Sequence, residues 1–176
     1  MTLVIAGTNR KNSRSRALAD VYAGILQSGG DTAEVLDLNI LPRDFIFSAL
    51  YENALKHPEF NKLQEKIDNT EKIVFVISEY NGTFPGALKA FIDGLRYPDT
   101  FTYKKGALVG FSSSVQGCAL GLSHMADILS HLGMYVLPQR VKIPQIERYL
   151  DQFQPAMTSD FYQGVLEEQA QWLRSF

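Results

Sequence analysis

The chain has 176 residues, of which 45% are apolar and 20% charged, a composition typical of one globular domain with a sizeable core. Its net charge of −2 gives no overall field that favours nucleic acid or an anionic membrane. The single cysteine, Cys118, excludes an internal disulfide and a cysteine-based metal site, and fits a reducing compartment. The sequence shows neither a signal peptide after Met1 nor a window approaching the roughly 18–20 apolar residues of a membrane span. We therefore expect a cytoplasmic protein with neither nucleic acid nor membrane as a partner.

Strands and helices alternate along the chain. The pattern predicts strands at residues 3–6, 33–38, 73–77, 107–111 and 134–137. It predicts helices at residues 14–28, 58–69, 86–96 and 117–132, and a last helix capped by Ser159 or Asp160. The mixed polarity of 33–38 indicates an edge strand, whereas the unbroken apolar run 73–77 indicates a strand covered on both faces.

Two segments lack clear periodicity. Residues 39–57 are rich in apolar side chains, which favours a lid, a pocket wall or a subunit contact over a free linker, or else a loop folded onto its own core. Residues 138–157 contain three prolines and are expected to be irregular. No linker or repeat interrupts the chain, so residues 1–176 are expected to form a single domain.

The alternation predicts an open α/β sheet, doubly wound, with right-handed crossovers. Such sheets bind ligands outside the carboxyl ends of their strands. Loops 8–15, 78–85 and 112–118 are expected to meet at that rim.

The first of these loops runs from an apolar strand into a helix, and such a turn is a natural seat for an anion. Its hydroxyls and cations are Thr8, Ser13, Ser15, Arg10, Lys11, Arg14 and Arg16. Since the next glycine after Gly7 is Gly24, neither a dinucleotide fingerprint nor a P-loop is present. A terminal monophosphate therefore fits best. The alternative is a helix start capped by Asn12 or Ser13 with solvated arginines.

The loop after the third strand, residues 78–86, combines an aromatic ring, an amide and a glycine. Backbone groups there could contact the edge of a flat heteroaromatic ring while Tyr80 covers it. The alternative is a tight turn at Asn81-Gly82 with Tyr80 packed on a neighbour. One molecule with a monophosphate tail and a flat ring would engage both loops, and FMN is such a molecule.

The run Gly7-Thr8-Asn9-Arg10-Lys11-Asn12-Ser13-Arg14-Ser15 resembles the G-[ST]-x-R-x-x-S-x-x phosphate loop of the NAD(P)H-dependent FMN reductases. Glu79-Tyr80-Asn81-Gly82-Thr83, followed by Pro85-Gly86-Ala87-Leu88-Lys89 and Asp93, is similar to that family's P-E-Y-N-x-[ST]-x-P-G-x-L-K-N-x-I-D segment. The resemblance spans about residues 3–137, and the family includes quinone, chromate and azobenzene reductases.

The resemblance implies a flavodoxin-like parallel sheet of five strands in the order 2-1-3-4-5, with FMN as cofactor and NADPH or NADH as reductant. A flavin, quinone, azo compound or similar small molecule would accept the electrons. Relatives are commonly dimers or tetramers, so a homodimer or homotetramer is expected, with residues 39–51 and 117–132 as the interface.

The resemblance also implies site residues. Phosphate contacts would come from Thr8, Arg10, Ser13 and Ser15, and the isoalloxazine would be lined by Glu79, Tyr80, Asn81, Gly82 and Thr83. A third contact would come from Ser113, Ser114 and Gly117, although only Gly117 remains of the glycine-rich turn that relatives carry there. Ser78 replaces a proline and Gly94 stands where a tryptophan is common.

No side chain is expected to be catalytic, because a flavin carries the hydride chemistry itself. His124 and His131 are too far apart in sequence to form a ligand pair, so no metal is expected, and Cys118 is expected to be a buried small residue rather than an activated thiol. The alternatives are a flavodoxin-type electron carrier and a regulator that binds a phosphorylated metabolite without catalysis.

Overall fold

A computed structural model describes the whole chain, residues 1–176. The main strands are β1 (Thr2–Ala6), β2 (Ala33–Asp37), β3 (Lys72–Ser78), β4 (Lys105–Phe111) and β5 (Tyr135–Ile143). They form one parallel sheet in the order β2-β1-β3-β4-β5. The flavodoxin-like order and the edge position of β2 are therefore confirmed.

Six helices accompany the sheet. They are α1 (Arg14–Ser28), α2 (Phe45–Ser48), α3 (Pro58–Asp68), α4 (Gly86–Gly94), α5 (Ala119–His131) and α6 (Asp160–Ser175). None of them is both long enough and apolar enough to cross a bilayer.

The sheet is buried on both faces, as its apolar strands require. Successive residues of a strand point to opposite faces; accordingly Phe75 belongs to a core cluster with α3, α4 and α5, whereas Val74 and Val76 belong to a second one with α1 and α6. The two clusters hold the central strands in place, and this fixes the loops at their carboxyl ends.

The predicted end of the fifth strand at residue 137 is wrong, because β5 continues to Ile143. The pairing with β4 shifts register between Gly106 and Leu108, whose partners are Val136 and Arg140. Pro138 lies within this interruption. β5 is also an edge strand, and a proline is tolerated at an edge or a bulge because no ladder N–H is needed there.

Two predicted helix ends are also wrong. Helix α5 begins at Ala119 rather than 117, because Gly117 and Cys118 have left-handed φ values of 59° and 65°. Helix α4 ends at Gly94 rather than 96.

The segments without periodicity contain more structure than expected. In residues 39–57, Phe45 is buried and stacks on Phe60 with ring centroids 5.8 Å apart, so this part folds onto the protein's own core. Phe47 and Tyr51 stay 84% and 78% exposed. Residues 138–157 are not irregular throughout: besides the end of β5 they contain a 3-10 turn (Ile146–Arg148) and an antiparallel hairpin of β6 (Leu150–Asp151) and β7 (Ala156–Met157).

A buried amide fastens α6 to the interrupted edge of the sheet. The Gln169 side chain is fully buried, and its Nε2 donates to the carbonyls of Leu108 (3.1 Å) and Gln139 (2.9 Å). Its Oε1 accepts from the Tyr22 hydroxyl of α1 at 3.1 Å. One side chain thus satisfies polar groups of two strands and one helix that would otherwise be buried without partners.

We predict that Gln169→Ala lowers the free energy of unfolding by about 2–4 kcal/mol, because several buried polar groups lose their partner at once. Urea denaturation measures this. Gln171→Ala, an exposed change on the same helix, is the control and should cost less than about 0.5 kcal/mol. Equal stability of the two variants would contradict the role of the amide.

Candidate active site

Three loops meet at the carboxyl ends of β1, β3 and β4. We define them as the first loop (residues 7–15), the second loop (78–86) and the third loop (112–118). The Thr8 hydroxyl of the first loop lies 2.9 Å from the Tyr80 hydroxyl of the second. The Cys118 N–H of the third loop donates to Glu79 Oε2 at 3.0 Å. The expected meeting of the loops at one rim is confirmed.

The first loop presents donors that nothing in the protein accepts. The backbone N–H groups of residues 11–15 make no hydrogen bond within the chain. Ser15 is fully buried and its Oγ has no partner. These groups surround the N-terminus of the 15-residue helix α1, where the helix dipole adds partial positive charge. Together they form a seat suited to an anion.

Ser13 acts as the cap of α1. Its backbone is extended (φ −79°, ψ 152°) and its Oγ accepts from the Arg16 N–H at 3.1 Å. The capping alternative is therefore correct for this side chain. It does not remove the anion seat, because the free donors belong to other groups.

The cations near the first loop divide into two sets. Arg10, Lys11 and Arg14 line the cavity between the loops. Arg16 instead forms an ion pair with Asp20, at 2.9 Å, and approaches Asp37 at 4.0 Å. It lies outside the cavity lining.

The second loop contains the tight turn at Asn81-Gly82 that the sequence analysis gave as an alternative interpretation. The Tyr80 N–H donates to the Thr83 carbonyl (2.7 Å), and the Thr83 N–H donates back to Tyr80 (3.0 Å). Asn81 and Gly82 between them have positive φ values of 50° and 81°, the signature of a type I′ hairpin turn. The turn exposes Asn81 and Gly82 at the rim, while Thr83 Oγ1 lies 3.0 Å from His124 Nδ1.

The third loop is organised by the Ser112 hydroxyl, which accepts from the Gly117 N–H (2.9 Å) and donates to the Ser114 carbonyl (2.9 Å). Gly117 has a left-handed backbone, and a Cβ there would lie 3.0 Å from the Ile143 nitrogen. Any other residue would be strained at this position. Its N–H is engaged inside the loop, whereas the N–H groups of residues 113–116 have no acceptor in the protein.

The three loops enclose a cavity of about 240 Å³. The predicted site residues that line it are Thr8, Arg10, Ser13, Ser15, Glu79, Tyr80 and Ser113. Those that lie outside its lining are Asn81, Gly82, Thr83, Ser114 and Gly117.

Lys11 and Arg14, which the sequence analysis named as cations of the first loop, also line the cavity. The lining residues that sequence reasoning did not assign to the site are Asn12, Ser78, Phe111, Ser112 and Gln152. Ser78 and Phe111 are the last residues of β3 and β4. Their positions at the carboxyl ends of predicted strands could have placed them in the site. Gln152 has no such signal, because it follows a two-residue strand in a segment without periodicity.

Glu147 is a further unforeseen contact beside the cavity. It accepts from the Ser113 hydroxyl at 2.5 Å and pairs with Arg14 at 3.1 Å. Burial opposes its ionisation, but the hydrogen bond from Ser113 and the charge of Arg14 keep the pKa of Glu147 below its usual value. The carboxylate therefore joins the first and third loops as an anion.

Comparison with known proteins identifies the family of the chain. The family model described as NADPH-dependent FMN reductase matches residues 1–148, most of the chain. The chain belongs to the NADPH-dependent FMN reductase family.

Individual relatives agree with this assignment. The chain is 25% identical over 179 residues to a 2-hydroxy-1,4-benzoquinone reductase of Burkholderia sp, covering 97% of this chain and 94% of that one. It is 28% identical over 176 residues to an NAD(P)H:quinone oxidoreductase of Solanum tuberosum, covering 97% and 86%. The solved apo structure of an NADH:FMN oxidoreductase shares the fold, with a TM-score of 0.82 at 18% identity over 99% of this chain and 88% of that one.

The family assignment confirms the expected enzyme class: an oxidoreductase that uses FMN as its cofactor and a reduced nicotinamide coenzyme as its reductant. The residues present suit the phosphate end of FMN. A buried hydroxyl without a partner and five consecutive free N–H groups match the many acceptor sites of a phosphate dianion.

The reductase has one thiol beside the site, and it is not activated. Cys118 is fully buried. Burial, and then the nearby Glu79 carboxylate, raise the pKa of the Cys118 thiol to about 12. The interpretation of Cys118 as a small buried residue is confirmed.

We predict that Cys118 resists thiol reagents in the folded enzyme. At pH 8 the raised pKa keeps the thiol neutral, and the thiolate is the reactive form. Labelling by Ellman's reagent should be at least about a hundredfold slower in the native protein than in urea. Similar rates in both states would contradict the burial of this thiol.

Proposed function

We propose that the chain binds FMN across the first and second loops and uses electrons from NADPH or NADH to reduce a quinone-type acceptor. The main support for this proposal is the set of hydrogen-bond donors at the N-terminus of α1 that have no acceptor within the protein. The names of the two relatives that are quinone reductases support the acceptor class. Bound FMN supplies the chemistry, since it accepts hydride and passes electrons on.

The proposed division of labour follows the geometry. Thr8, Ser15 and the N–H groups of residues 11–15 hold the phosphate, with Arg10 adding a charge-assisted contact. Ser13 contributes its N–H while its side chain caps the helix. The Thr8–Tyr80 hydrogen bond holds the first loop against the second, so the phosphate seat and the ring contacts keep a fixed separation.

Around the ring, the proposed contacts come from the second and third loops. The turn Asn81-Gly82-Thr83, whose first two residues are exposed, and the free N–H groups of residues 113–116 lie at the same rim. Glu79 accepts from the Cys118 N–H, and this bond fixes the path of the third loop. Such backbone donors can tune a flavin without any acid–base side chain.

We propose that residues 1–176 act as one FMN-binding domain. Gln152, near the end of the chain, lines the same cavity as Thr8. The C-terminal helix α6 completes the core on one face of the sheet. Residues as far apart in sequence as Thr8 and Gln152 therefore contribute to the same proposed site.

A homodimer or homotetramer is also proposed, with the exposed Phe47 and Tyr51 and the exposed side of α5 as contact surfaces. Sedimentation showing a monomer at micromolar concentration would refute it.

A cytoplasmic location is proposed as well, since the only cysteine is a free thiol.

The experiment that tests the proposed function is anaerobic reduction followed by reoxidation. Protein loaded with FMN should lose its flavin absorbance on addition of NADPH or NADH and regain it on addition of a benzoquinone, with repeated turnover. Free FMN at the same concentration is the control. Rates no faster than this control would contradict the assignment, and reduction without transfer to any quinone, azo dye or flavin would favour an electron carrier.

We predict that Arg10→Ala weakens FMN binding by roughly 1.5–3 kcal/mol, through loss of a charge-assisted contact to phosphate. Fluorescence titration of FMN measures the change. Arg16→Ala is the matched control, because Arg16 pairs with Asp20 and lies outside the cavity; it should change the affinity less than about twofold. Unchanged affinity in Arg10→Ala would argue against the phosphate assignment.

A further inference from the structure

A strap of residues 144–157 passes beside the candidate site. It joins β5 to α6 and contains the turn Ile146–Arg148 and the β6–β7 hairpin. Its side chains Ile146 and Leu150 are buried in the core, which anchors it. The hairpin lies beyond residue 148, where the match to the family model ends.

The strap contacts two of the three loops that border the cavity, the third loop and the first loop. The Gln145 N–H donates to the Ser114 carbonyl (2.9 Å), and the Ile146 N–H donates to the Ser112 carbonyl (3.0 Å). On the other side, Gln152 Nε2 donates to the Asn12 carbonyl at 2.6 Å, across 140 positions of sequence. This last bond ties the hairpin directly to the first loop.

Asn12 is the residue of the first loop with a left-handed backbone, at φ 49°. Asparagine adopts this conformation more readily than most L-residues, and here it sets the direction of the Asn12–Ser13 peptide. A trans peptide is planar, with its carbonyl and N–H pointing in opposite directions. Since Gln152 holds the Asn12 carbonyl, the N–H of Ser13 points away from the strap. A flipped peptide would turn that donor around.

We propose that Gln152 is a positioning residue for phosphate recognition. By holding the Asn12–Ser13 peptide, it keeps the free N–H groups of the first loop directed at the phosphate of FMN. The inference rests on the proposed FMN site, and it assigns a determinant of cofactor affinity to a hairpin outside the matched family segment.

The test compares FMN with riboflavin, which has the same ring but no phosphate. Gln152→Ala should weaken FMN binding about fivefold to tenfold, the equivalent of one hydrogen bond. Riboflavin affinity and the absorbance spectrum of the FMN-saturated protein should not change. Gln152→Glu keeps the length of the side chain but lacks the donor, so it should lose at least as much FMN affinity as Gln152→Ala.

Gln154→Ala is the control, since Gln154 lies on the same hairpin, is exposed, and makes no side-chain hydrogen bond. It should leave both affinities unchanged. Circular dichroism and thermal melting establish that each variant is folded.

Two outcomes overturn the proposal: FMN affinity that is unchanged in Gln152→Ala, or FMN and riboflavin affinities that fall together. The second would show a general loosening of the site rather than control of the phosphate seat. Wild-type protein that binds no FMN would instead refute the proposed function, and the inference would fall with it.

Discussion

The hydrogen bond between the Thr8 and Tyr80 hydroxyls, 2.9 Å long, holds together two loops that are 72 positions apart in sequence. It forms because β1 and β3 are neighbours in a parallel sheet, so their carboxyl ends leave the core side by side. The Glu79–Cys118 bond extends the same arrangement to the third loop. These hydrogen bonds keep the distances between the loops constant. A ligand that contacts two loops at once depends on that constant distance.

Folding leaves the first loop with donors that have no acceptor within the protein, and these donors are the chemical basis of the proposed site. Most buried polar groups in a protein are paired, as the contacts of Gln169 with the middle of β4 and β5 illustrate. The buried Ser15 hydroxyl is an exception, and it lies at a helix N-terminus beside five free N–H groups. A phosphate held there, as proposed, would accept hydrogen bonds from these donors, and its binding would then be coupled to local stability.

Local sequence patterns predicted much of the fold and part of the site. The apolar runs of β1, β3 and β4 could be predicted because strands buried on both faces need such runs. Candidate site residues at the ends of these strands, such as Thr8 and Glu79, follow from the topology. The continuation of β5 past Pro138 could not be predicted from the sequence, because it depends on a bulge in its pairing with β4. Gln152 and Glu147 were missed for a similar reason: each reaches the site through tertiary packing, and no periodic pattern marks their segment.

A crystal structure of the enzyme grown with excess FMN tests most directly whether one coenzyme spans the neighbouring loops. Density for the phosphate against residues 8–15, and for the flavin ring against residues 79–83 of the same protein chain, is the result expected here. FMN bound elsewhere, such as the larger groove between α1 and α6, would contradict it, as would a rim left without flavin.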